Sequence, residues 1–79
     1  MTSNGHPSLA DEIRAERLPS PLIARAIRES ADVTQERVAD ALEVHRLTVA
    51  RWESGERRPR GANRAAYARL LRELQEVNS

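Results

Sequence analysis

Between Thr34 and Gly55 the chain reads TQERVADALEVHRLTVARWESG, and this stretch restricts the fold more than any other. Thr34 is placed as a helix N-cap, with Glu36 close behind it where a carboxylate favours the positive end of the helix dipole. Val38, Ala39 and Leu42 then recur at the spacing of one helical face. Glu43, Val44 and His45 make a turn, a second helix follows from Arg46 to about Ser54, and Gly55 ends it as a left-handed C-cap. Two short helices that cross steeply need a small side chain where their backbones approach, and Ala39 is placed for that. Val44, Val49 and Trp52 form the stripe that would hold the second helix against the rest of the chain.

The flanks extend this plan. Pro19-Ser20-Pro21 restarts the chain, with Ser20 as N-cap and Pro21 at the first helical position. The helix it opens runs to about Ser30, and Leu22, Ile23, Ala26 and Ile27 are its expected core stripe. Ala31-Asp32-Val33 connects it to Thr34. After Gly55, Arg57-Arg58-Pro59-Arg60-Gly61 reads as loop, and a last helix from about Ala62 to Val77 is expected to bury Ala66, Leu70, Leu71 and Leu74. At the front, MTSNGHP is polar and aperiodic. Ser8 with Asp11 resembles a capping box opening a thin helix over Leu9 to Leu18, with Leu9 and Ile13 on one face. The expected division is an arm plus short extra helix over residues 1–19 and a compact domain over 20–77. The fold class is all-α, a compact bundle of four to five helices.

A chain of 79 residues buries only about 60% of its unfolded surface, which suits one small helical domain. It has no cysteine, so no disulfide or thiolate metal site, and its two histidines, His6 and His45, stand too far apart to suggest zinc. No apolar run approaches the roughly 20 residues of a membrane span, and no signal-peptide core is present, so the expected compartment is the cytoplasm. No nucleophile or paired carboxylate is tied to His45, so an enzyme is not expected; neither is a metal, a cofactor or a small-molecule ligand.

The net charge of +1 hides an asymmetry. Residues 1–42 carry five arginines and seven acids, a balance of −2, whereas residues 43–64 carry six arginines and three acids, a balance of +3. Positive charge is thus concentrated on the second helix and its trailing loop, as a polyanion-binding face requires. Once the inward stripe is removed, the second helix leaves Arg46, Leu47, Ala50, Arg51 and Ser54 as a continuous outward strip. Such a strip suits the major groove of DNA. Arginine pairs bidentately with guanine O6 and N7, and leucine packs on a thymine methyl.

In IRESADVTQERVADAL, VHRLTVARWESG and ERRPR the chain resembles the lambda-repressor/Cro-type (Xre-type) helix-turn-helix family, a resemblance that covers roughly Leu22 to Leu74. The resemblance implies a lambda-repressor-like bundle and a sequence-specific, double-stranded-DNA-binding transcriptional regulator, a repressor of bacterial or phage type. It also implies a homodimer on a palindromic site, with half-sites about 10 bp apart. By position, His45, Arg46, Leu47, Ala50 and Arg51 would read bases. Gln35 would contact phosphate or a base edge, and Arg57, Arg58 and Arg60 would grip the backbone. Arg28 and Glu53 would form a partly buried ion pair. Two residues depart from the family pattern: Glu43 stands where glycine is usual, and His45 where a serine or threonine N-cap is usual. A second reading of the same fold is an antitoxin-like or bridging module that holds a protein partner.

Overall fold

The computed structural model describes residues 17–77. The expected arm and the leading helix up to residue 16 lie outside the described residues. Arg17 and Leu18, expected to end that helix, are irregular instead. Four helices follow: α1 (Pro21–Ser30), α2 (Gln35–Leu42), α3 (Arg46–Ser54) and α4 (Gly61–Val77), with no strand among the described residues. α2 and α3 pack most extensively on each other, and α1 and α4 cover them.

Local chemistry explains the boundaries. Ser20 Oγ accepts from the Ile23 amide at 3.3 Å, and Thr34 Oγ1 accepts from the Arg37 amide at 3.1 Å, so α1 and α2 each start on a side-chain cap. At their ends both helices close in the same way. The Val33 amide reaches back to the Arg28 carbonyl and the Val44 amide to the Ala39 carbonyl, while Asp32 and Glu43 adopt left-handed backbones with φ 58. Asp32 was not foreseen in this conformation. α3 ends on Gly55 at φ 81, where no Cβ is present to resist it. Its start is different: His45 occupies the N-cap position without a side-chain hydrogen bond.

The core joins all four helices through Ala24 and Ile27, Val38 and Ala39, Val49 and Trp52, and Tyr67 and Leu71. Trp52 and Tyr67 lie ring to ring, with centroids 4.8 Å apart and planes tilted by 39°. Two expected stripes are corrected. In α1 the buried set is Ala24, Ile27 and Arg28, whereas Leu22 and Ile23 are 74% and 50% exposed and Ala26 is exposed too. Positions 24, 27 and 28 follow the i, i+3, i+4 rule, so the inward face is built on a small alanine, Ile27 and an arginine, and leaves Leu22 and Ile23 outside. In α4 the buried residues are Tyr67, Ala68 and Leu71; Ala66, Leu70 and Leu74 are half-buried beside them. The real stripe is rotated by one residue because Tyr67 turns in to meet Trp52. Among the described residues no helix is long and apolar enough to cross a membrane.

Candidate nucleic-acid interface

The surface of interest is the outward side of α3 together with the loop after it. Arg46 and Leu47 are exposed in the first turn, Ala50 and Arg51 are half-buried one turn on, and His45 is exposed at the N-cap. The helix ends in a small knot. Ser54 Oγ donates to the Arg51 carbonyl and accepts from the Glu56 amide, and the Arg57 amide donates to the same Arg51 carbonyl at 3.2 Å. Pro59 is buried and pins the loop, leaving Arg57, Arg58 and Arg60 exposed on either side of it. Between α3 and this loop runs an open groove of about 620 Å³, lined in part by Thr48, Arg51, Arg60 and Asn63. Arg51 is partly engaged there, with its Nε 3.7 Å from Glu56.

Beneath the surface lies a polar lock. Arg28 donates from Nε to Glu53 Oε2 at 2.6 Å and from Nη2 to Glu53 Oε1 at 3.0 Å, and its Nη1 donates to the Val33 carbonyl at 2.8 Å. Both side chains are nearly closed off, 11% and 3% exposed. The hydrogen bond to Glu53 raises the Arg28 pKa above its ordinary value, against the opposing effect of burial. The contact is bidentate and fixed in geometry. Gln35 extends it outward: its Nε2 donates to Glu53 Oε1 at 3.0 Å, and its Oε1 accepts from Arg46 Nη1 at 3.2 Å. A continuous chain of hydrogen bonds thus runs from the interior to the first residue of α3.

The structure places His45, Arg46, Leu47, Ala50 and Arg51 along one side of α3, brings Gln35 beside Arg46, and sets Arg57, Arg58 and Arg60 across the groove. Sequence reasoning missed Thr48 and Asn63, which line the same groove, and the linking role of Gln35. Thr48 lies one position from the outward strip, so its spacing offered a weak signal; Asn63 offered none. Among the described residues no group of acidic or histidine side chains is arranged to hold a metal ion.

No curated protein and no solved structure matches the chain. A helix-turn-helix family model does match, over residues 25–76, from the middle of α1 almost to the end of α4. The match spans the two crossed helices, the arginine loop and the whole polar lock, so the chain belongs to the lambda-repressor/Xre-type helix-turn-helix family, whose members are DNA-binding regulators rather than enzymes.

Proposed function

We propose that this chain is a sequence-specific transcriptional repressor of bacterial or phage type, acting in the cytoplasm with α3 in the major groove of double-stranded DNA. The observation that carries the reading is the pairing of the outward α3 strip with a row of exposed arginines across one open groove. A nine-residue helix is about 13 Å long, enough to lay its outward strip along a few base pairs of a groove about 12 Å wide. Arg46 and Arg51 supply bidentate donors to base edges, Leu47 an apolar contact, Ala50 close approach, and His45 a contact at the start of the helix. Gln35 holds Arg46 from behind and itself faces the backbone. Arg57, Arg58 and Arg60 neutralise phosphates and set the register. A domain this small needs a second copy to specify a long site, so a homodimer on a palindrome is part of the proposal.

Selection of bound sequences from a random double-stranded DNA library tests this reading, with affinity for the selected site taken at two salt concentrations. Three loop arginines per copy give about six phosphate contacts for a dimer, so affinity should fall by about 10³-fold between 50 and 200 mM salt. A short palindromic motif with that salt dependence is the expected result. No enriched motif, together with salt-insensitive association with a protein, would favour the antitoxin-like or bridging reading instead.

A further inference from the structure

The arginine loop has two sides. Its outer side faces α3 across the groove described above, and its inner side closes a second, smaller cleft of about 170 Å³ at the start of α1. Arg17, Arg57, Arg58 and Arg64 line this cleft, Leu18 and Pro21 supply its accessible apolar wall, and the buried Trp52 and Tyr67 border it from the core side. None of the described residues lining it is acidic. Among the described residues, no carboxylate lies within ion-pair distance of any of the four arginines. Like charges gathered round one small space repel one another, and an anion placed between them relieves that repulsion.

Volume and lining together select the class of anion. A nucleotide or a drug-sized ligand needs about 300 Å³ or more. An apolar cavity of about 150 Å³ takes a single benzene ring. A bare inorganic anion would leave the apolar wall unused, and a hydrocarbon would leave the arginines unused. We propose that this cleft binds a small organic anion, a carboxylate carried on one ring or an equally compact apolar body. The carboxylate accepts paired hydrogen bonds from the guanidinium groups, and the apolar body packs on Leu18 and Pro21. Arg57 and Arg58 line both the cleft and the outer groove. Ligand and DNA phosphate therefore compete for the same two side chains, and each weakens binding of the other by the same factor. This coupling rests on the DNA-binding reading; the cleft itself does not.

The chain's one tryptophan borders the cleft from the core, so its emission reports occupancy with no DNA present. Benzoate titrated into the full chain at constant ionic strength should give a saturable change in Trp52 emission. Benzamide, with the same ring and no charge, should give none, and inorganic phosphate should bind at least tenfold more weakly. Arg64→Gln lies outside the proposed DNA interface. It should weaken benzoate at least tenfold while leaving the melting temperature and ligand-free DNA affinity unchanged. Arg17→Gln, in an irregular segment, serves as a second variant if Arg64→Gln fails to fold. On the selected DNA, saturating benzoate should weaken binding at least fivefold for the wild type and not for Arg64→Gln. Equal responses to benzoate and benzamide, equal affinity for benzoate and phosphate, or no saturation would each overturn the cleft as an organic-anion site. Normal benzoate binding with unaltered DNA affinity would overturn the coupling, and normal benzoate binding with no DNA binding at all would overturn the DNA-binding reading alone.

Discussion

On its inward side α3 presents Val49, Trp52 and Glu53, all closed off from solvent; on its outward side it presents Arg46 and Leu47, both exposed. The inward residues each have partners on other helices: Trp52 meets Tyr67 of α4, and Glu53 meets Arg28 of α1. Among the described residues, the outward arginines hold only Gln35 and, at longer range, Glu56. One side of the helix is therefore specified by everything around it, and the other is open to change at little cost to folding. Gln35 joins the two sides, with Glu53 on one amide atom and Arg46 on the other. The lesson is that the exposed side is aimed by a buried polar contact as well as by apolar packing.

The comparison is broken most severely by Trp52→Ala. Removing this buried ring should cost about 3–5 kcal/mol, a large part of the stability of so small a domain, and show as a collapsed urea transition. A normal transition would take Trp52 out of the core. Glu53→Ala should also cost about 3–5 kcal/mol, because it strands the Arg28 charge in a buried site. The double variant Arg28→Met with Glu53→Leu should recover most of that loss; equal instability of single and double variants would show that the pair itself stabilises the fold.

Tyr67 sharpens the same contrast through pH. Its hydroxyl is buried without a hydrogen-bond partner among the described residues, and burial first, then the nearby Glu53 charge, push its pKa up to about 12. The folded state thus favours the neutral phenol. The contribution is whole below about pH 10, where the unfolded tyrosine titrates, and is lost as pH rises to about 12, amounting to about 2–3 kcal/mol. Tyr67→Phe should lack this component, so stability curves of the two proteins that run parallel across that window would refute it. On the outward side, Arg46→Ala should cost about 1–3 kcal/mol in DNA affinity and relax preference at one base position, with little change in melting. An equal loss on every sequence would make Arg46 a backbone contact. The smallest effect is expected at the turn, where Glu43→Gly should stabilise the domain by about 1 kcal/mol by relieving a left-handed backbone. A thermal melt that moves down would show that the Glu43 side chain contributes more than its backbone costs.

Much of the fold was legible because its boundaries are set by local chemistry. Ser20 with Pro21, Thr34 and Gly55 act within a few residues of themselves, so their roles can be read without knowing what packs where. The inward faces of α1 and α4 were legible only in part, at Ile27 and Leu71, and for one reason. Both helices carry more apolar residues than their buried sides use, and hydrophobic periodicity alone then leaves the rotation undetermined. In α1 the rotation is set by a buried arginine, which any apolar-in rule assigns to solvent. In α4 it is set by Tyr67 meeting Trp52, a contact between residues fifteen apart in sequence. At the candidate site the outward strip of α3 followed from spacing, whereas Asn63 and the inner cleft depend on how the loop folds back over α1.

Arg28 holds three segments at once: α1, which carries it; the connection to α2, through the Val33 carbonyl; and α3, through Glu53. In amide exchange such a residue sets the size of the smallest unit that opens. α1 cannot fray past Arg28 without leaving the buried Glu53 charge with Gln35 but no cationic partner, so the two helices should exchange at one common free energy although they are separate in sequence. α3 has no private way to unfold: it is displayed whole or lost with the domain.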